Sequence, residues 1–241
     1  MQSITILNEN SDSNILFIAE HTGKDFPEGY GTLGLTPEIL ETISDYYDNG
    51  AKPMITTLAE QFNACAVFGN YSRLLIDLNR RLDHLQLIRT KEDDWQIKIP
   101  ANQNISNEEK QKRIRLYWTP YHNKIKQIIQ NKLEKHERIF VFVIHTCSTT
   151  YQGKTRGFDV DLIYSHSEKL AFSLGDIIMK KNYTVQYNEP YSGQHAPTLH
   201  KYDTPKVEWI AIETNQKTIA TYDDLHNYVL ALVEGINKIT K

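Results

Sequence analysis

Short runs of apolar residues, uninterrupted by polar ones, constrain the fold of this chain most strongly. In IFVFVI, residues 139–144, six successive residues are apolar. A strand formed there would be apolar on both faces, and such strands are covered by other elements on both sides. The run therefore predicts a buried strand in a sheet that has helices on each face.

Similar runs alternate along the chain with helical patterns. The predicted strands are Ile15–Ala19, Ala64–Phe68, Leu74–Ile76, Ile139–Ile144, Thr184–Tyr187 and Trp209–Ile212. The predicted helices are Pro53–Phe62, Glu108–Lys135 with a break or kink at Pro120, Glu168–Lys180 and Asp223–Ile239. This alternation predicts an α/β fold, as a single domain over residues 1–241, with a mostly parallel central sheet flanked by helices.

The composition argues against several classes of protein. The 241 residues carry a formal net charge of -3 without a dense block of Lys and Arg, so we expect no nucleic-acid partner. The two cysteines, Cys65 and Cys147, form no CxxC motif, which argues against a disulfide scaffold and is typical of a reducing compartment. No apolar run has the length of a membrane span or of a signal-peptide core, so we expect a cytoplasmic protein with no membrane partner. The oligomeric state stays open.

Three of the apolar runs end at residues suited to metal binding or proton transfer: His21, His145 and Glu213. Ligands of open α/β sheets bind beyond the carboxyl ends of the strands, so we expect these three side chains to converge. Neutral imidazoles suit zinc, and a catalytic zinc has three protein ligands and an open position for water. Zinc lowers the pKa of that water, and Glu213 is placed to act as the general base.

The third metal ligand stays open at this point. Asp25, Asp45 and Asp48 are the candidates. Asp48 belongs to SDYYDNGA, just ahead of a predicted helix, where a turn or helix-capping role is the simpler interpretation.

Two segments carry arginines suited to a substrate carboxylate. In NYSRLLIDLNRRLD, Arg73 precedes a predicted strand, and Asn79 and Arg80 follow it. Arg156 comes eleven residues after His145, so a loop can return it to the same edge of the sheet. A guanidinium grips a carboxylate through two parallel hydrogen bonds, and an asparagine amide can polarise a carbonyl. An ordinary cluster of salt bridges is the alternative.

The segment NEPYSGQHAPTLHKYD, residues 188–203, is longer than a minimal connection between two strands. Long ordered loops in compact domains are often binding loops. We therefore place His200 among the substrate-binding candidates, with a surface position as the alternative.

Eight segments occur in the order found in the N-formylglutamate amidohydrolase family, which this chain resembles from about Ile15 to Ile219. They are EHTGKDFPEGYGTLGL, SDYYDNGA, NYSRLLIDLNR, WTPYH, HTCS, TRGFDVDLIYS, NEPYSG and AIETNQ. The family is similar to zinc carboxypeptidases and aspartoacylases, which implies a phosphorylase/hydrolase-like α/β fold and one zinc ion.

The resemblance also implies roles for particular residues. His21 and His145 resemble the zinc histidines, Glu213 resembles the general base, and Asn79-Arg80 resembles the pair that handles the substrate carboxylate. The carboxypeptidase pattern has a glutamate three residues after the first histidine, where this chain has Lys24, so we assign the third ligand to Asp48.

A second departure lies after Glu213. Family members commonly have an arginine two residues further on, where this chain has Asn215. We assign Asn215 to the substrate-binding group, which then has one cation fewer.

The function predicted from the sequence is zinc-dependent hydrolysis of the amide bond of N-formylglutamate or a related N-acyl amino acid. One alternative is a non-catalytic protein whose pocket binds a small carboxylate or amide. A second is a thiol hydrolase that uses Cys147, which lies two residues from His145 and on the same face of an extended strand.

Overall fold

The computed structural model describes residues 2–43, 45–92, 94, 96–190, 193 and 204–240. The strands are β1 (Ile4–Leu7), β2 (Ile15–Ala19), β3 (Cys65–Gly69), β4 (Ile139–Cys147), β5 (Thr150–Tyr151), β6 (Lys154–Thr155), β7 (Val160–Ile163), β8 (Val185–Tyr187) and β9 (Val207–Asn215). The helices are α1 (Pro37–Thr42), α2 (Ala51–Gln61), α3 (Asn107–Arg113), α4 (Thr119–Lys135), α5 (Glu168–Met179) and α6 (Tyr222–Ile239).

Seven of these strands form one sheet in the order β1-β3-β2-β4-β9-β7-β8. The central strands β3, β2, β4 and β9 are parallel to one another. The strands β1 and β7 run antiparallel to β3 and β9, respectively. The longest pairing joins β4 to β9, from Ile139 opposite Val207 to Cys147 opposite Asn215. The predicted mostly parallel sheet is confirmed.

Each face of the sheet carries its own apolar core, because successive side chains of a strand point to opposite faces. On one face, Val141 and Trp209 belong to a core that includes Tyr121 and Ile125 of α4. On the other face, Phe142 belongs to a core shared with α2, α5 and α6. The predicted α/β class, with helices flanking the sheet, is therefore confirmed.

The predicted strand Leu74–Ile76 is wrong. These residues are buried, but they lie in an irregular segment whose polar backbone groups are satisfied without a strand ladder. The carbonyl of Leu74 accepts from Asn102, and the carbonyl of Leu75 accepts from Arg113. Because side chains supply these hydrogen bonds, a buried apolar run need not pair with another strand.

Two strand predictions were too short, and four strands were not predicted: β5 and β6, which pair with each other, and two strands of the main sheet. Strands β4 and β9 continue three residues beyond the predicted ends, so His145 and Glu213 lie within paired strands. The sequence did not predict β1 or β7, which join the sheet in antiparallel directions.

The predicted break at Pro120 takes the form of a π-helical turn. The turn Ile114–Trp118 separates α3 from α4, and the backbone N–H of Thr119 donates to the carbonyl of Ile114. Proline has no N–H to donate, so the helix adjusts its hydrogen-bond pattern just before Pro120 and then continues. Within the described residues, no helix is both long and apolar enough to cross a membrane.

We expect Phe142→Ala to destabilise the protein by about 3–5 kcal/mol, because it leaves a cavity in a well-packed core. Phe142 is fully buried, and its ring centroid lies 5.9 Å from that of Phe17. Urea unfolding followed by circular dichroism measures the change. The control is Leu230→Ala on α6, at a side chain that is 49% exposed, with an expected change within about 0.5 kcal/mol. Equal unfolding midpoints for the two variants would contradict the assignment of Phe142 to this core.

Candidate metal centre

The parallel strands β2, β4 and β9 bring the predicted residues to one edge of the sheet. His21 lies two residues beyond the end of β2, and His145 lies directly opposite Glu213 in the pairing of β4 with β9. The ring centroids of His21 and His145 are 5.2 Å apart. The predicted convergence of these side chains is therefore observed.

Asp48 lies between the two histidines. Its Oδ2 is 2.8 Å from Nδ1 of His145, and its Oδ1 is 3.7 Å from Nδ1 of His21. Its backbone N–H donates to the carbonyl of His21 at 2.8 Å, which ties the segment before α2 to the end of β2. The predicted third ligand thus reaches both histidines with its carboxylate.

Gly50 makes this position of Asp48 possible. It precedes the first residue of α2 with a φ of 90°, a conformation that side chains disfavour. A Cβ at this position would lie 2.4 Å from Cδ1 of Ile219. The turn that aims Asp48 at the histidines therefore requires glycine.

The three side chains form a group that could hold a metal ion. One ligand atom from each of His21, Asp48 and His145 lies within 4.8 Å of the others, and all three residues are buried. Nδ1 of His21 has no hydrogen-bond partner among the described residues, although it is buried. Two imidazoles and a carboxylate match the ligands of catalytic zinc sites, and an ion would satisfy this atom.

The other two candidate aspartates do not belong to this group. Asp45 accepts a hydrogen bond of 2.6 Å from Nη1 of Arg89. Asp25 is exposed, as is Lys24, which occupies the position of the carboxypeptidase glutamate. Among the described aspartates, the geometry therefore favours Asp48.

Asp77 contacts Nε2 of His21, the ring nitrogen that faces away from Asp48. Its Oδ1 lies 2.8 Å from Nε2 of His21, and its Oδ2 accepts from Nε and Nη2 of Arg73 at 3.3 and 3.0 Å. Burial opposes ionisation of Asp77, but the positive charge of Arg73, the hydrogen bond with His21 and the charge of Arg89 outweigh it. The pKa of Asp77 is therefore held well below its usual range. Its ionised carboxylate fixes the orientation of the His21 ring.

His145 has carboxylates at both ring nitrogens. Nδ1 faces Asp48, and Nε2 lies 3.2 Å from Oε2 of Glu20. Burial lowers the pKa of His145, but Asp48 and Glu20 act more strongly and raise it well above its usual range. A metal ion must displace a proton from such a ligand, so the affinity for metal should fall as the pH falls.

Glu213 lines the cavity beside the two histidines. The cavity has a volume of about 670 Å³, and its lining includes His21, Asp48, Arg73, Asn79, Arg80, His145, Arg156 and Glu213. Burial raises the pKa of Glu213; the charge of His145 opposes this shift, and that of Asp48 adds to it. A carboxyl group with a raised pKa is suited to accept and return a proton near neutrality.

The predicted arginines occupy different positions in this cavity. Arg73 is held by Asp77, which makes it part of the supporting network. Arg80 is 30% exposed, and its Nε lies 3.8 Å from Asp77. The guanidinium of Arg156 lies 5.1 Å from the ring centroid of Tyr151. Arg80 and Arg156 line the same cavity as Glu213.

Asn79 lies close to His145. Its Nδ2 is 3.4 Å from Nε2 of the imidazole, and its backbone N–H donates to Oδ1 of Asp77 at 2.9 Å. The side-chain amide lines the cavity next to the metal-binding group. It can therefore meet a polar group of the substrate.

The structure does not bring Asn215 to the cavity, and we withdraw it from the substrate-binding residues. Its side chain is fully buried. Its Nδ2 donates to the carbonyl of Phe158 at 3.0 Å, and its Oδ1 accepts from the backbone N–H of Lys217 at 3.1 Å. Both ends of the amide are thus used within the fold. His200 lies outside the described residues.

Sequence reasoning missed three charged residues around the site: Glu20, Arg89 and Asp161. Glu20 and Arg89 are buried within reach of His145 and Asp77, respectively. Asp161 lies opposite Glu213 in the pairing of β7 with β9, and burial raises its pKa to about 7. The available signal was a charged residue inside or directly after an apolar run. Charged residues are rarely fully buried without a partner, so such a position indicates a partner nearby.

A model of the N-formylglutamate amidohydrolase family matches residues 13–220. The chain belongs to this family. The match covers most of the chain and includes all three residues of the metal-binding group. The family resemblance read from the sequence is confirmed, and membership supports amidohydrolase activity.

Two solved structures have the same fold as this chain. The chain is similar to a gene product of Agrobacterium tumefaciens, with a TM-score of 0.91 and 24% identity over 99% of this chain and 95% of that chain. It is also similar to an N-formylglutamate amidohydrolase from Ralstonia eutropha, with a TM-score of 0.78 and 16% identity over 99% of this chain and 98% of that chain. Comparison with curated proteins finds no match. At these identities the likeness concerns the fold alone.

We expect Asp77→Asn to destabilise the metal-free protein by about 3–5 kcal/mol at pH 7, because it breaks a buried ion pair. The folded-state pKa of Asp77 is lowered, so its stabilisation is present above the unfolded pKa of about 3.9 and is lost as the pH falls towards the folded value. The difference between wild type and variant should therefore be full at pH 7 and shrink on acidification below about pH 4. Urea unfolding in the presence of a chelator measures it.

The matched control is Asp83→Asn. Asp83 is exposed and pairs with Arg81 at 2.9 Å, so its loss should change stability little at either pH. A destabilisation by Asp77→Asn that does not depend on pH would contradict the role given to the ionised carboxylate.

Proposed function

We propose that this protein is a metal-dependent amidohydrolase that cleaves the amide bond of N-formylglutamate or a related N-acyl amino acid. The observation that carries the proposal is the buried group of His21, Asp48 and His145, with Glu213 lining the same cavity. These three residues would hold one divalent cation, and their ligand types favour zinc. When bound, the ion supplies a Lewis acid and lowers the pKa of water.

Glu213 acts as the general base and then as the general acid. It takes a proton from the attacking water, whose oxygen forms a bond to the acyl carbon. The carbon–nitrogen bond then breaks, and Glu213 returns the proton to the leaving nitrogen. The products are a carboxylic acid and an amine, which for N-formylglutamate are formate and glutamate. The raised pKa of Glu213 supports this exchange near neutral pH.

Arg80 and Arg156 anchor the carboxylate of the substrate, and Asn79 contributes a polar contact beside His145. Both guanidiniums line the cavity that contains Glu213. Two cations in a cavity partly shielded from water bind an anionic group more strongly than they would in open water. Arg73 contributes through Asp77 rather than by direct contact with the substrate.

The cavity does not favour a thiol mechanism. Burial raises the pKa of Cys147 strongly, and the charge of Glu213 adds to the effect. The thiolate, not the thiol, is the nucleophile, so Cys147 is in the inert form at neutral pH.

We expect Glu213→Gln to lower kcat by about 10²–10⁴-fold, the usual contribution of a general base. The variant should still bind zinc, since the three proposed ligands are intact. Elemental analysis and hydrolysis of N-formylglutamate and other N-acyl amino acids measure the two properties. His145→Ala should lose both metal and activity. Cys147→Ser is the control and should keep both. Wild-type activity in Glu213→Gln, or full activity of chelator-treated protein, would refute the proposal.

We expect Arg80→Met to lower kcat/KM for N-acyl amino acids by about tenfold or more, because it removes a charged hydrogen bond to the substrate. The loss should be much smaller for a substrate whose carboxylate is replaced by an amide. The neighbouring Arg81→Met is the matched control, since Arg81 is exposed, pairs with Asp83 and is not among the described residues that line the cavity. Equal losses on the charged and neutral substrates would contradict the anchoring role of Arg80.

A further inference from the structure

Glu20 is a buried carboxylate that the proposed reaction does not use. It directly follows β2 and precedes His21, and its relative exposure is 1%. It is not among the described residues that line the cavity, so it is not placed to touch a substrate. A carboxylate is rarely retained in such a position without a compensating partner, because removing its charge from water is unfavourable.

The compensating partner is His145. Oε2 of Glu20 lies 3.2 Å from Nε2 of this imidazole. Neither oxygen of Glu20 has a hydrogen bond of good geometry among the described residues. The carboxyl group of Glu20 is therefore directed at one side chain, the imidazole of His145.

The two histidines of the metal-binding group are arranged alike. Each presents Nδ1 to Asp48 and Nε2 to a buried carboxylate, which is Asp77 for His21 and Glu20 for His145. Metal-binding histidines commonly donate their second N–H to a carboxylate, which sets the tautomer and the ring orientation. The arrangement therefore directs both Nδ1 atoms towards Asp48 and the position that one ion would occupy.

The charges around the two carboxylates differ. Asp77 is bound by Arg73 and approached by Arg89, so protein cations neutralise it. Glu20 has no arginine or lysine ion pair among the described residues. A divalent cation at the Nδ1 atoms would add the positive charge that the described arginines and lysines do not supply to Glu20.

We propose that Glu20 is a positioning residue of the metal centre: in the metal-loaded protein it accepts a hydrogen bond from Nε2–H of His145 and thereby holds Nδ1 towards the ion. This inference rests on the metal centre of the proposed function. A carboxylate outside the cavity thereby sets the affinity for metal through the tautomer of His145.

The test is the zinc affinity of Glu20→Gln, measured at pH 7 by competition with a chromophoric chelator and without substrate. We expect zinc to bind about 10–100-fold more weakly than in the wild type, the usual effect of removing such a carboxylate. The matched control is Glu208→Gln, at a β9 residue that pairs with Arg138 on the surface, and it should bind zinc as the wild type does. Zinc affinity in a folded Glu20→Gln protein equal to that of the wild type overturns the inference.

A second variant separates charge from packing. Glu20→Asp keeps the charge but shortens the side chain, whereas Glu20→Gln keeps the shape but removes the charge. We expect Glu20→Asp to retain more zinc affinity than Glu20→Gln, and the opposite order overturns the inference. Should Glu20→Gln fail to fold, Glu20→Asp still tests the claim, because the longer contact should weaken zinc binding measurably.

Nitrogen NMR of the zinc-loaded protein reads the tautomer directly. We expect the wild type to carry a proton on Nε2 of His145, and we expect this signal to shift or exchange faster in Glu20→Gln. A wild-type proton on Nδ1 overturns the inference. A wild type that binds no zinc overturns both the metal centre and this inference. A wild type that binds zinc but hydrolyses no N-acyl amino acid refutes the proposed function while the role of Glu20 stands.

Discussion

Parallel pairing of β2, β4 and β9 is the constraint on which the rest of the structure depends. It aligns the carboxyl ends of three neighbouring strands, so that residues far apart in sequence meet at one edge. The apolar faces on both sides of these strands hold them in place, since a shift of one residue would turn every buried side chain to the other face. The same pairing fixes the positions of His145 and Glu213, because both residues lie within the paired strands themselves.

Buried charge is the second organising feature. Four carboxylates, those of Glu20, Asp48, Asp77 and Glu213, lie around two histidines. The charges that compensate them fall into three kinds. Asp77 is neutralised by arginines, Glu20 and Asp48 by the histidines, and Glu213 is left with a raised pKa. Groups whose environments move their pKa values apart can take different roles, which in the proposed function are support, metal binding and proton transfer.

Much of the site could be anticipated from the sequence because strand ends and ligand chemistry are local signals. The runs before His21, His145 and Glu213 were readable, and the family motifs supplied Asn79 and Arg80. Local signals failed where a segment was buried without pairing, as at Leu74–Ile76, whose carbonyls are satisfied by Asn102 and Arg113. They also failed for Asn215, since nothing local indicates that both ends of its side-chain amide are hydrogen-bonded to backbone groups.

The sequence by itself determined the α/β class, the buried strands and the kinds of residue at their ends, because hydrophobic periodicity and residue chemistry are properties of short segments. Only the tertiary structure decided which aspartate joins the histidines, since Asp48 and His145 are 97 residues apart and meet only when α2 packs beside β4. It also decided which nitrogen of each histidine faces a supporting carboxylate. Such choices depend on distances of a few ångströms between segments that the chain brings together only on folding.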